Sequence, residues 1–276
     1  MVNSPGKRLM KKKKKTTKKM ARKASASGLP LAPNEPLTQF SDYSWLLYGE
    51  KKVGKTTLCS MMPDPLFIMT EPGGKALRTF QAHATRWGQI VKWTSDLQRE
   101  TRFKTVIVDT VDRLYDLCFR HVCKERGVEY PPKNDFGQCW AAIKSEFEGQ
   151  ILKLLGLNRG IIFISHARTN RVEDEDDEDE ETIVRIPTLR GQGMGIMEAL
   201  VDVIGYYGYQ GLNRVLVIRG NENLDAGCRL EENFLTTKGE PVQAIPMGES
   251  KEESYDQLMA AFNNELKTPG KATFNV

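Results

Sequence analysis

Residues 45–57 read Trp45-Leu46-Leu47-Tyr48-Gly49-Glu50-Lys51-Lys52-Val53-Gly54-Lys55-Thr56-Thr57, an apolar run followed by the spacing G-x-x-x-x-G-K-T. Apolar strand, glycine-bearing turn and helix start, in that order, are the context in which such a loop cradles phosphate. Gly49 and Gly54 let the backbone turn so that successive N–H groups point inward at an anion, and the following helix adds its positive end. Glu50, Lys51, Lys52 and Val53 contribute main-chain amides to that cradle. Lys55 reaches the β- and γ-phosphates, and Thr56, with Thr57 beside it, supplies a hydroxyl for Mg2+. The competing reading is a lysine-rich surface turn. The implied ligand is a nucleoside triphosphate.

Around this loop the chain has 276 residues, enough for one large or two small domains, and 39% hydrophobic residues, enough for a substantial core. The net charge of +4 conceals an asymmetry: residues 1–23 hold eleven Lys/Arg and no acid, which leaves −7 on the remainder. No apolar run approaches the roughly 18 residues of a membrane span, and no apolar segment follows the basic stretch as in a secretory signal. Cys59, Cys118, Cys123, Cys139 and Cys228 are odd in number and contain no CxxC pair. Cys118 and Cys123 fall on one helix, and no set of zinc ligands is completed elsewhere. Reduced, buried thiols and a cytoplasmic location are expected.

Residues 1–38 read as a disordered basic tail, because Lys11 to Lys15, Lys18, Lys19, Arg22 and Lys23 repel one another. From residue 39, apolar strands alternate with helical stretches: strand 44–48, helix 55–62, strand 66–70, helix 74–83, strands 89–93 and 104–108, helices 110–126 and 136–156, strand 160–165. The strands are continuous apolar runs, as expected where helices cover both faces, so the fold class is α/β with a mostly parallel, doubly wound sheet. Beyond it, 167–172 and 182–187 pair as a hairpin around nine consecutive acids, Glu173 to Glu181. Gly191, Gly193 and Gly195 lead into a short helix ending near Leu200. Strands 201–208 and 214–219 then form an antiparallel extension. The core domain spans 39–250, and 251–276 is a terminal helix, 252–266, with a loose end.

Thr105-Val106-Ile107-Val108-Asp109 is an apolar strand ending in a carboxylate, about fifty residues after the phosphate loop, and one such carboxylate anchors Mg2+. Asp112 competes for that role, although its place in a first helical turn suits a carboxylate stabilised by the helix dipole. Glu71 ends the strand Leu66 to Thr70. Parallel strands align their carboxyl ends, so Glu71 should lie near Lys55 and Asp109, where it could deprotonate a water; the other reading is a helix N-terminal carboxylate. Ser165-His166 end a fourth strand. His166 either hydrogen-bonds the γ-phosphate and passes its presence onward, or caps the strand. His83 and His121 read as surface or packing residues on helices.

In this order the residues resemble the RecA-like ATPase core: loop Gly49 to Thr56, strands ending in Glu71, Asp109 and Ser165-His166, a glycine-bearing loop, then Val215-Leu216-Val217-Ile218-Arg219. The resemblance covers residues 42–235. It is closest to phage-type RecA-like AAA-domain proteins of single-strand annealing and recombination. It implies ATP with Mg2+, Glu71 as the water-activating glutamate and His166 as the γ-phosphate sensor. It further implies a DNA-binding loop over Arg168 to Gly195, and a homo-oligomer in which Arg219 reaches a neighbour's nucleotide, with Arg229 as runner-up. Two departures stand out. Arg219 is followed by Gly220-Asn221-Glu222 rather than lysines, and nine acids sit in the DNA loop, flanked by Arg168, Arg171, Arg185 and Arg190.

The basic tail has three readings: nonspecific nucleic-acid contact by counterion release, a nuclear localisation signal, or a silent leader. Trp87, Trp93, Trp140 and Tyr206 to Tyr209 are candidates for stacking on bases, against core packing. The expected function is ATP hydrolysis by a phage-encoded, oligomeric protein acting on DNA, with single strands as the expected partner. Two rivals remain: a DNA-binding module in which ATP only drives assembly, and a P-loop small-molecule kinase.

Overall fold

Apolar runs of five or six residues build the centre of this protein. The computed structural model describes residues 32–173 and 181–270. The basic run within 1–23, residues 174–180 of the acidic run and the last six residues lie outside the described residues. The strands are β1 (Ser44–Gly49), β2 (Pro65–Met69), β3 (Phe80–His83), β4 (Thr105–Asp109), β5 (Gly160–Glu173), β6 (Glu181–Pro187), β7 (Val203–Gln210), β8 (Asn213–Val217), β9 (Gly227–Cys228) and β10 (Ala244–Pro246). The helices are α1 (Lys55–Cys59), α2 (Trp87–Leu97), α3 (Val111–Glu125), α4 (Gln138–Leu155), α5 (Gly191–Leu200) and α6 (Lys251–Phe262).

The sheet runs β10-β8-β7-β1-β5-β4-β2-β3. From β7 to β3 every neighbouring pair is parallel, and β8, β9 and β10 join antiparallel at the β7 side. This is the mostly parallel, doubly wound α/β arrangement with an antiparallel extension expected from the sequence. Alternate residues of one strand serve opposite faces. Leu46, Val106, Val108, Ile161 and Phe163 pack under α2, α3, α4 and α5. Trp45, Leu47, Ile107, Ile162 and Ile164 pack with Leu58 of α1 and Leu258, Ala261 and Phe262 of α6. Both faces are therefore dry, which is why these strands carry no polar alternation. The C-terminal helix α6 shares this second core with the strands, so it is part of the domain rather than an appendage.

Two expected elements are exchanged. The helix expected at 74–83 is absent. Gly74 takes φ +68, its carbonyl accepts the Gln81 side-chain amide at 2.9 Å, and Phe80–His83 extends as β3 beside β2. His83 is consequently a strand residue. The strand expected at 89–93 lies inside α2, whose buried residues Trp87, Ile90, Thr94 and Leu97 follow helical spacing. The β-branched pair Ile90-Val91 points to a strand, but the longer three-to-four period prevails because it buries one continuous stripe. In that stripe the Thr94 hydroxyl accepts the Gln150 side-chain amide of α4 at 2.6 Å and donates to the Ile90 carbonyl at 2.9 Å. Thr94→Val keeps the shape but leaves a buried N–H unpaired. It should cost about 1–3 kcal/mol in urea unfolding, with the denaturant slope unchanged.

The hairpin is as expected and longer. β5 crosses the sheet over its first seven residues, then continues past the edge as Ala167 to Glu173, paired antiparallel with Glu181 to Pro187 of β6.

Candidate functional site

Register brings the acidic and basic candidates to one edge. Gly49 pairs with His166, and Met69 with Asp109, so β1, β5, β4 and β2 end side by side. The Thr70 hydroxyl donates to the Thr110 carbonyl at 2.7 Å and accepts the Thr110 N–H at 2.8 Å, tying the ends of β2 and β4 together just before Glu71.

At this edge lies a cleft of about 710 Å³, lined by Lys51, Lys52, Gly54, Lys55, Thr56 and Thr57 of the loop and helix start. Glu71, Asp109 and His166 also line it. Gly54 has φ +112, a conformation costly for any residue with a Cβ. Gly49 is required for a different reason. It has no positive φ; a Cβ there would stand 1.9 Å from the Tyr207 carbonyl oxygen of β7. Val53 turns its side chain into the apolar core beneath the loop, while Glu50, Lys51 and Lys52 are exposed. The buried Lys55 ammonium donates to the carbonyls of Gly49 and Glu50, each at 2.8 Å. Burial lowers its pKa to about 8.

The Thr56 hydroxyl donates to the Asp109 carboxylate at 2.8 Å. Burial raises the Asp109 pKa, and the Thr56 bond offsets part of that. Glu71 Oε1 and His166 Nε2 stand 3.1 Å apart. His166 Nδ1 is buried with no hydrogen-bond partner among the described residues. Asp112 does not line the cleft. It lies half-buried behind it, accepting the hydroxyls of Ser165 at 3.0 Å and Thr188 at 2.6 Å, and burial raises its pKa. Thr188 N–H also bonds the His166 carbonyl at 2.8 Å, so the root of the hairpin is held against the start of α3.

Arg219 is not brought to the cleft. β8 runs against β7, with Val217 opposite Tyr206, so Arg219 lies toward the other edge of the parallel strands. Its guanidinium donates to the carbonyls of Val242 at 2.5 Å and Phe234 at 3.4 Å. Arg229 is likewise engaged, donating to Ala199 and Glu198 carbonyls at 3.0 and 2.7 Å at the end of α5. Sequence reading missed the arginines that do line the cleft, Arg113 and Arg120 of α3, the former paired with Asp116 at 3.1 Å. Their seven-residue spacing, two helical turns, was the available signal.

At the hairpin root Arg168 and Arg185 line a cavity of about 360 Å³ with Glu50, Ala167 and Thr169. Burial, then the charge of Arg190, lowers the Arg168 pKa, and its Nε has no partner among the described residues. Of the stacking candidates, Trp87, Tyr206 and Tyr207 are core residues. Trp93 packs against the core, and Trp140 packs against Phe119 and Tyr130. Tyr209 is exposed beneath the Arg214 guanidinium.

A glycine-rich loop between strand and helix, a threonine–aspartate pair at its end and a glutamate just beyond the end of β2 define a P-loop nucleotide-binding domain. Residues 41–230 match the AAA-domain family, and the chain belongs to it. It is also 30% identical over 132 residues to the SPbeta prophage-derived uncharacterized protein YorG of Bacillus subtilis (strain 168), covering 45% of this chain and 41% of that relative. The chain thus spans less than half of that relative's length. Among solved structures it is similar to the KaiC-like protein PH0186 of Pyrococcus horikoshii OT3, with 13% identity, TM-score 0.41 and 65% and 79% of the two chains covered. It is similar too to the RadB recombinase, with 14% identity, TM-score 0.37 and 64% and 80% covered. No helix among the described residues is long and apolar enough to cross a membrane.

Proposed function

We propose that this protein hydrolyses ATP with Mg2+ and couples that turnover to single-stranded DNA, as a phage-type, self-associating recombination or annealing protein. The observation that carries the reading is the convergence of Lys55, Thr56, Glu71, Asp109 and His166 on one cleft of about 710 Å³. Lys55 now rests on two loop carbonyls, and a triphosphate in the loop offers its ammonium stronger, charged acceptors. Thr56 and Asp109 would hold Mg2+. A hydroxyl and a carboxylate oxygen 2.8 Å apart are the hard donors this ion takes, and a buried carboxylate with a raised pKa gains from a cation. When bound, the ion neutralises charge on the phosphate oxygens.

Glu71 acts as general base toward water. His166, 3.1 Å from its carboxylate, orients it and relays the state of the cleft to the hairpin through Thr188. DNA phosphates meet Arg168, Arg171 and Arg185 on that hairpin and Arg190 just beyond it. The prophage origin of the YorG relative supports the phage setting. With Arg219 and Arg229 engaged on carbonyls, Arg113 and Arg120, which line the cleft, are the arginines available to the terminal phosphate within one chain.

ATP turnover with and without single-stranded DNA, across a salt series, tests this. Turnover should rise with DNA, and the DNA affinity should fall with salt by a log–log slope of about 0.7 per phosphate engaged. ATP binding without measurable turnover in either condition would refute hydrolysis and leave ATP as an assembly ligand. Phosphate appearing on an added small acceptor would instead point to a kinase.

A further inference from the structure

The nucleotide cleft does not end at Arg113. It continues into a second cavity of about 510 Å³ between α2 and α3, and the two share Thr85, Leu117 and Arg120. Trp87 and Leu117 give this extension an apolar floor, and Arg86, Arg120 and Lys124 stand on its rim with no carboxylate in its lining. These three cations are exposed and make no ion pair among the described residues. Neighbouring charges are already matched, Lys92 with Asp96 at 2.7 Å and Arg113 with Asp116 at 3.1 Å, and His121 Nε2 lies 3.3 Å from the Glu125 carboxylate. Three unmatched cations around an apolar floor fit a ligand that is anionic at one end and flat and apolar at the other.

We propose that this extension is a second phosphate-binding site that takes a nucleoside phosphate, as a free nucleotide or as one unit of a single strand. It rests on the nucleotide reading of the adjoining cleft and goes beyond it. The base lies against Leu117, with the buried Trp87 beneath it as part of the core, and the phosphate meets Arg86, Arg120 and Lys124. Because Arg120 borders both cavities, a ligand here sits directly beside the terminal phosphate of the first nucleotide. The site is separate from the hairpin arginines, so a strand held by both would pass across the mouth of the cleft.

The test uses the full chain with a labelled oligothymidylate, free dTMP and a fluorescent non-hydrolysable ATP analogue, comparing wild type with Arg86→Ala/Lys124→Ala, whose two cations line the second cavity but not the first. At about 0.7 per phosphate, losing two contacts lowers the salt slope for the oligonucleotide by about 1.4. With a common intercept at 1 M salt, that is an affinity loss of about 25-fold at 0.1 M. If dTMP displaces the oligonucleotide from the wild type with a matching loss in the variant, free nucleotides are the source. If dTMP is inert, the source is a strand. Both results uphold the site. A variant with wild-type affinity and salt slope for both probes overturns it, as does a wild type that binds neither. The ATP analogue keeps the two readings apart: its binding should be unchanged in the variant, and its failure to bind the wild type would sink the cleft reading instead.

Discussion

Glu71→Gln should leave ATP affinity unchanged and lower kcat for hydrolysis by about 10²- to 10⁴-fold, the usual worth of a positioned general base. That is about 2.7–5.4 kcal/mol of transition-state stabilisation. The substitution preserves shape, and a carboxamide oxygen can still meet His166 Nε2, now 3.1 Å from the carboxylate. What it removes is the capacity to take a proton from water. Lys55→Ala should fail differently: the cleft loses its buried ammonium, and triphosphate binding falls before chemistry begins. Steady-state phosphate release at saturating ATP, with affinity titrated separately, distinguishes the two. If Glu71→Gln turned over like the wild type, the carboxylate would be no more than a partner for His166.

The largest effect on stability is expected from a single methyl group. Gly49→Ala would place its Cβ 1.9 Å from the Tyr207 carbonyl oxygen and 2.9 Å from the carbonyl carbon, both backbone atoms of the adjacent strand. No rotamer change relieves a backbone contact between two central strands, so β1 or β7 would have to move. A cost above about 4 kcal/mol is expected, in the range reserved for a named structural fault. For a domain of this size that lowers the melting temperature by about 8–16 °C. Gly149→Ala is the contrast. Within α4, nothing lies within 4 Å of its Cβ position, and alanine there should gain about 0.5–1 kcal/mol. Thermal unfolding of both variants in parallel checks the argument; equal melting temperatures would refute it.

The parts of the fold legible in the sequence were those with a strong local signature. The phosphate loop declares itself by spacing, and the strands around Leu46, Ile68, Ile107 and Ile162 are too apolar to be anything but doubly covered. The acids at strand ends follow, because parallel strands must present their carboxyl ends together. Signals failed where two short periods compete. Ile90-Val91 has the β-branching of a strand, but Trp87, Ile90, Thr94 and Leu97 bury a helical stripe. The stretch after Gly74 has few breakers, yet Gln81 folds back on the Gly74 carbonyl and the chain extends.

By itself, then, the order of residues determined the α/β class, the phosphate loop and the identity of the carboxylates that share its edge, since each depends on spacing within one element or on strand polarity. Tertiary structure alone decided which arginines face the cleft. Arg219 is claimed by carbonyls on the far side of the sheet, while Arg113 and Arg120 reach the cleft because of the phase of α3 relative to β4. It also decided why Gly49 is glycine, for the reason lies in Tyr207, a residue distant in sequence whose carbonyl fills the space a side chain would need. Long side chains and close backbone approaches are settled by neighbours remote along the chain, and no local pattern encodes them.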